Sequence, residues 1–167
     1  MSRFPLVPGD SVAECYHVWY PKIRRSKKAV CTVSKSFSIP VRVYWEDTDA
    51  GGVVYYANYL KFLERGRSEW LRALGVDQPR LRAERGLQFA VVSVTVDFLR
   101  PATLDDEVLV TAALAKLSGA TIEFKQSIWR GDVQLTDATV RCACLDSATL
   151  RPRAIPKDLF TEWRDAQ

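Results

Sequence analysis

The chain has 167 residues, 47% of them hydrophobic, which is enough for one domain with an apolar core. Its net charge of +4 is unevenly distributed: residues 1–37 carry seven Lys or Arg against two acidic residues, and the remainder is close to neutral. This distribution argues against a nucleic-acid-binding face, and no apolar run approaches the roughly 20 residues that a membrane span needs.

The composition divides the chain into a basic N-terminal extension, residues 1–38, and one domain, residues 39–167. Residues 1–37 mix Pro, Gly and Lys/Arg without periodicity, so we interpret them as disordered, or as the product of a start codon placed too far upstream. Deleting them is expected to leave fold and activity intact. The basic run follows a mixed stretch instead of preceding an apolar one, which does not fit a secretory signal and favours a cytoplasmic protein.

The single histidine, His17, lies in the extension. Unless His17 folds back, the domain has no imidazole, which excludes Ser-His-Asp and Cys-His catalysis and His-based zinc sites. Acid–base chemistry in the domain must then use carboxylates, or else Tyr, Lys or Cys. The cysteines show no C-x-x-C spacing and are interpreted as free thiols in a reducing compartment: Cys15, Cys31, Cys142 and Cys144.

The predicted elements begin with a strand at residues 39–45 and a long helix at residues 57–74, ended by Gly75. A short helix at residues 78–85 is expected to end at Gly86. Five residues, three of them Leu, recur along the long helix at steps of four and three, and we interpret them as its buried stripe. These are Leu60, Glu64, Arg67, Leu71 and Leu74, with Leu63 and Trp70 alongside.

Four further strands follow, separated by turn residues. Their short connections predict antiparallel pairing between consecutive strands, and residues 157–164 are assigned to a final short helix. One long helix against a five-stranded sheet is an α+β two-layer domain. The alternating positions are Ala90, Val92, Val94, Val96 and Phe98; Val108, Val110, Ala112 and Leu114; Ile122, Phe124 and Ile128; and Val140, Cys142 and Cys144.

The stretch EDTDAGGVVYYANY connects the first strand to the long helix and holds two carboxylates, Asp47 and Asp49, before two glycines. Glycine at a turn lets a ligand approach the backbone closely, and a helix start offers unpaired N–H groups and partial positive charge. A carboxylate there can activate water beside a polarised carbonyl. The alternative is that Asp49 only caps the helix or stabilises the turn.

Two other readings of this motif fit poorly. A calcium loop of the EF-hand type needs acidic or amide residues where Gly51 and Asn58 stand. A phosphoryl-transfer Asp-x-Asp follows a buried parallel strand, whereas the strand here alternates with polar residues.

The segment VRVYWEDTDAGGVVYYANYLKFLERGRSEWLR resembles the first strand, catalytic loop and central helix of hotdog-fold acyl-CoA thioesterases. It is most similar to the Tol–Pal-associated family, related to 4-hydroxybenzoyl-CoA thioesterase. Two later segments, FAVVSVTVDFLRPATLDDEVLV and RCACLDSATLRPRAIP, are similar to strands of that family. The resemblance implies a five-stranded antiparallel sheet wrapped around the helix, hydrolysis of an acyl-CoA or acyl-carrier-protein thioester without metal or cofactor, and a homodimer or homotetramer.

By this resemblance Asp49 is the catalytic carboxylate, either as nucleophile or as general base, and the backbone N–H of Tyr56 polarises the thioester carbonyl. Relatives often have His at the position of Tyr56, and we expect that only the backbone matters there. Asp47 is expected to shape the loop and to increase the negative field at Asp49. The remaining residues of the family-like loop are Gly52, Val53, Asn58 and Tyr59.

Glu64 has two interpretations: it forms a partly buried ion pair with Arg67 that orients the helix, or it is a second carboxylate facing the acyl pocket.

The function also has an alternative, a non-catalytic module that binds acyl-CoA or acyl carrier protein. A hotdog dehydratase would need a catalytic His, which the domain lacks.

Overall fold

The computed structural model describes residues 37–161, so residues 1–36 of the predicted extension, with His17, Cys15 and Cys31, lie outside the described residues. The last two residues of that extension, Phe37 and Ser38, already belong to the first strand. The elements in chain order are β1 (Phe37–Arg42), a 3-10 turn (Trp45–Asp47), α1 (Tyr56–Ala73), α2 (Gln78–Arg85), β2 (Leu87–Phe98), β3 (Glu107–Ser118), β4 (Thr121–Arg130) and β5 (Val133–Asp146). None of the described helices is long and apolar enough to cross a membrane.

The five strands form one antiparallel sheet in the order β1-β3-β4-β5-β2. The α+β class with five antiparallel strands is thus confirmed. The expectation that all consecutive strands pair was wrong for β2 and β3: β2 pairs with β5, and β3 pairs with β1. The connection between β2 and β3 therefore crosses the sheet from one edge to the strand next to the opposite edge. As a consequence β2 is an edge strand.

Both helix ends follow their local chemistry. Gly75 has φ +76°, and hydrogen bonds from the Val76 and Gly75 amides to the carbonyls of Leu71 and Arg72 close a Schellman motif. The Asp77 side chain caps the start of α2, as shown by the 2.8 Å bond that it accepts from the Arg80 amide. The predicted helix at 78–85 is confirmed. Of the final helix predicted at 157–164, residues 157–160 form a turn, residue 161 is helical, and residues 162–164 lie outside the described residues.

The buried face of α1 differs from the predicted stripe. Leu60 and Leu74 are exposed, because three of the four aromatic residues of the helix, together with Gly66, face the sheet instead. A Cβ on Gly66 would lie 2.9 Å from a Val110 methyl group, so this close approach needs glycine. The buried residues of α1 are Asn58, Tyr59, Phe62, Leu63, Gly66, Arg67, Trp70 and Leu71.

Two strands also depart from their predicted patterns. The first strand ends at Arg42 and not at Trp45, because the side chain of Asp47 bonds the Tyr44 amide and turns the chain. In β2 a bulge between Val91 and Ser93 shifts the alternation. Its inner face, the face towards α1, is therefore formed by Phe89, Val91, Val94, Val96 and Phe98.

Candidate active site

The loop between β1 and α1 is built around a buried carboxylate. Asp47 is 4% exposed, and its Oδ2 accepts a 3.0 Å hydrogen bond from the Tyr44 amide. Its backbone carbonyl accepts bonds of 2.9 Å from the Tyr55 amide and from Asn58 Nδ2. Asp47 and the buried Asn58 therefore hold the start of α1 against the 3-10 turn.

Asp49 lies two residues later, in an exposed part of the loop. Its Oδ1 accepts a 2.8 Å bond from the Gly51 amide, and its own amide bonds the Val53 carbonyl at 2.9 Å. Within residues 37–161, no donor contacts Oδ2. This carboxylate is therefore oriented by its own turn and keeps one oxygen available for a substrate or a water molecule.

Gly52 makes the turn after Asp49 possible. Its φ is +74°, and its amide bonds the Asp49 carbonyl at 2.9 Å. No atom lies within 4 Å of the position that a Cβ would take, so the backbone is open to a ligand here. Val53 is buried behind the turn and forms a β-bridge with Thr103.

The start of α1 supplies a hydrogen-bond donor next to this turn. Tyr56 is the first residue of α1, and the N–H groups of the first helical turn have no carbonyl acceptor within the helix. The Tyr56 side chain is 61% exposed and packs edge-on against Phe98, with 6.4 Å between ring centroids. A side-chain hydrogen bond with Tyr56 raises the pKa of Tyr55, so neutral phenol is the form present near pH 7.

A second connection joins the loop to the segment between β2 and β3. Buried Tyr59 accepts a 2.8 Å bond at its hydroxyl from the Ala102 amide, and the Ala102 carbonyl accepts one from the Val54 amide. Burial disfavours ionisation of Asp106 in that segment, but its hydrogen bonds from Thr103 and Arg130 outweigh this effect and lower its pKa. The loop is thus supported from two sides.

Further along α1, a polar network enters the core. Arg67 is 6% exposed, pairs with Glu64 through Nη2, and donates from Nη1 to Gln126 Oε1 at 2.8 Å. The Gln126 amide in turn donates to the Leu63 carbonyl at 2.9 Å. Ser68 donates to the other Glu64 oxygen at 3.0 Å. The Glu64–Arg67 pair therefore has a buried cation and a half-exposed carboxylate.

This network lines one side of a cleft whose remaining walls are mostly apolar. Burial raises the pKa of the Cys142 thiol in the cleft, and that of Cys144 nearby, so neither is a thiolate at neutral pH. The residues that line the cleft are Glu64, Arg67, Ser68, Leu71, Gln78, Phe89, Val91, Ile122, Phe124 and Cys142.

The structure thus brings most of the predicted site residues together. Asp47, Asp49, Gly52, Val53, Tyr56, Asn58 and Tyr59 occupy the loop and the first turn of α1. Glu64 lies two turns further along the helix. Among the described residues, no group of three or more His, Cys, Asp or Glu side chains is arranged to hold a metal ion.

Two residues that hold this site in place were not predicted from the sequence. Ala102 leaves no recognisable pattern in the sequence, because its backbone atoms make the contacts. Gln126 does leave one, since it interrupts the apolar positions Ile122, Phe124 and Ile128 of β4. A polar residue in that phase must find a buried partner.

Comparisons with known proteins identify the family to which this chain belongs. A sequence model described as "Thioesterase superfamily" matches residues 51–136. The acyl-CoA thioesterase YbgC of Haemophilus influenzae is 46% identical over 127 residues, which are 76% of this chain and 93% of the relative. The acyl-CoA thioester hydrolase YbgC of Escherichia coli O6:H1 is 42% identical, over 77% of this chain and 96% of the relative. A solved structure of a probable thioesterase from Bartonella henselae matches with a TM-score of 0.70 and 37% identity, over 72% and 99% of the two chains.

Proposed function

Since this chain belongs to the thioesterase superfamily and is an acyl-CoA thioester hydrolase, we propose that Asp49 and the backbone amide of Tyr56 carry out its reaction. The observation that carries this proposal is an exposed carboxylate, followed by an open glycine turn and a helix start. Among residues 37–161, one carboxylate oxygen has no donor and the Tyr56 amide has no acceptor.

In the proposed reaction the thioester carbonyl oxygen accepts a hydrogen bond from the Tyr56 N–H. The amide stabilises the negative charge that develops when the carbonyl carbon is attacked, and the helix start adds to this effect. Asp49 either attacks that carbon, to form an anhydride that water hydrolyses, or removes a proton from the attacking water. In both routes the C–S bond breaks, the thiol leaves with a proton, and the acid is released.

The surrounding residues position this pair. Asp47, Asn58 and Tyr59 are buried and bonded to the backbone of the loop or of the β2–β3 connection. The Tyr56 side chain packs on Phe98 and is not needed in either route. A His at this position would therefore not be required for the chemistry.

A simple assay separates hydrolase from binding module. Purified full-length protein is mixed with a panel of acyl-CoAs and acyl carrier proteins, and the release of free thiol is followed. Catalytic turnover on at least one thioester is expected. Binding of acyl-CoAs without thiol release would support the alternative, a non-catalytic module of the same fold.

We also propose that the protein assembles as a dimer or a dimer of dimers through β2. Among the described strands, β2 has a neighbour on one side and none on the other, and Val91, Val92 and Val94 are 46%, 51% and 39% exposed. Pairing with β2 of a second copy would give the backbone groups on the open side hydrogen-bond partners and would cover the exposed valine side chains. Light scattering is expected to give at least twice the chain mass of 18.9 kDa; a species of one chain mass would contradict the proposal.

The active domain is proposed to begin near β1, and the protein to be cytoplasmic. The Haemophilus influenzae relative matches over 93% of its own length using 76% of this chain, which leaves room for an extension. A truncation that retains Phe37 is expected to keep the thiol-release activity, and loss of soluble protein on truncation would contradict this proposal.

The free thiols of Cys142 and Cys144 support the proposed cytoplasmic location, because thiols stay reduced in a reducing compartment. Cell fractionation can check this location.

A further inference from the structure

One side of α1 and the inner face of β2 come close at two places, and the space between these two places is called the trough below. Tyr56, Leu60 and Glu64 follow one another at intervals of four residues and so share one side of the helix. At one end of the trough the Tyr56 ring contacts Phe98. At the other end Glu64 lines the same cleft as Val91.

The two ends of the trough differ in chemistry. The first end holds the proposed carbonyl-binding amide of Tyr56. The far end holds the Glu64–Arg67 pair, with 55% of the Glu64 side chain exposed and only 8% of the Arg67 side chain exposed. Eight residues of α-helix separate Tyr56 from Glu64, a distance of about 12 Å along the axis. An acyl chain bound at the first end and lying along this side of α1 therefore points towards the ion pair.

A saturated chain that reached the far end would remove water from the Glu64 carboxylate and offer no polar group in exchange. Withdrawing an ion from water in this way lowers affinity on the order of a hundredfold. Each buried methylene raises affinity about fourfold, so the loss cancels the gain from about three methylenes. A short acyl group ends before the pair and avoids this loss.

We infer that the Glu64–Arg67 pair determines acyl specificity by disfavouring long saturated chains relative to short ones, an inference that rests on the proposed function of Asp49 and Tyr56. Arg67 acts here as a positioning residue, because its bond to Gln126 holds the guanidinium in the core while Glu64 stays at the cleft. The carboxylate is the group that the chain would contact.

The test compares two Glu–Arg pairs of the same spacing on the same helix. Glu69 pairs with Arg72 at the same i,i+3 spacing, but both side chains are solvent-exposed and neither lines the cleft. The measurement is kcat/KM for dodecanoyl-CoA divided by kcat/KM for butanoyl-CoA. Glu64→Gln is expected to raise this ratio about tenfold over the wild-type value, mainly through a lower KM for dodecanoyl-CoA. Glu69→Gln is expected to leave the ratio unchanged.

A double variant, Glu64→Leu/Arg67→Met, removes both charges and keeps the test available if the single change leaves Arg67 poorly paired and the protein unfolded. It too is expected to raise the ratio. Equal ratios in wild type and in the folded Glu64 variants would overturn the inference, as would an equal rise in Glu69→Gln. If the wild type releases no thiol from either substrate, the proposed function itself has failed, which is a separate result.

Discussion

The two halves of the loop between β1 and α1 use the same residue type in opposite ways. In the first half Asp47 is buried, bonded to the Tyr44 amide and central to the contacts of Tyr55 and Asn58. In the second half Asp49 is exposed, and its bonds to other described residues all lie within its own turn. The comparison teaches that surroundings, more than sequence spacing, separate a carboxylate that builds a loop from one that can react.

The sharpest test of this difference between Asp47 and Asp49 is Asp49→Asn, which keeps the shape of the side chain and removes its negative charge. Turnover of acyl-CoA is expected to fall about 10²- to 10⁴-fold, because the variant loses its base or nucleophile. The free energy of unfolding should change by no more than about 0.5 kcal/mol, since the side chain is exposed. Thiol release and urea denaturation measure the two quantities. Wild-type turnover on every acyl-CoA hydrolysed would remove Asp49 from the mechanism.

The converse change, Asp47→Ala, is expected to act mainly on stability. It leaves the Tyr44 amide without its acceptor, which lowers the free energy of unfolding by about 1–3 kcal/mol. Asp49→Ala is the matched control and should cost about 0.5 kcal/mol or less. Denaturant unfolding of both variants gives the comparison. If the two losses were equal, the distinction between the halves of the loop would be wrong.

The smallest expected effect comes from Gly52→Ala. Because nothing lies near the new Cβ, the cost is that of a left-handed backbone alone, about 1 kcal/mol. Gly119→Ala, at φ +55° and also in open space, should cost the same. Turnover is expected to fall only in Gly52→Ala, because that turn orients Asp49. A loss of turnover in both variants would show that stability and not loop geometry is responsible.

Much of the fold could be predicted from sequence, because local signals set it. The end of α1 and both ends of α2 follow from Gly75, Asp77 and Gly86, whose preferences need no tertiary partner. The strands β3 to β5 follow from alternation over a single buried face. The exposed loop with its paired carboxylates was also visible as a motif, although its catalytic role stays a prediction.

What sequence could not supply depends on contacts between distant segments. The neighbours of β2 are decided by the β2–β3 connection crossing the sheet, and a local reading of turn lengths cannot detect this. The bulge between Val91 and Ser93 reverses which valine faces α1. The buried face of α1 was misassigned because Leu60 and Leu74 fit a helical period as well as Phe62 and Gly66 do. Only packing against the sheet distinguishes the two faces.

The bond between the Tyr59 hydroxyl and the Ala102 amide links segments that are far apart along the chain. The final arrangement of the loop therefore includes a contact between residues 43 positions apart, which requires the β2–β3 connection to lie against α1. Such non-local contacts form more slowly than local helical structure. A partly folded chain would thus have its helices before it had a competent catalytic centre.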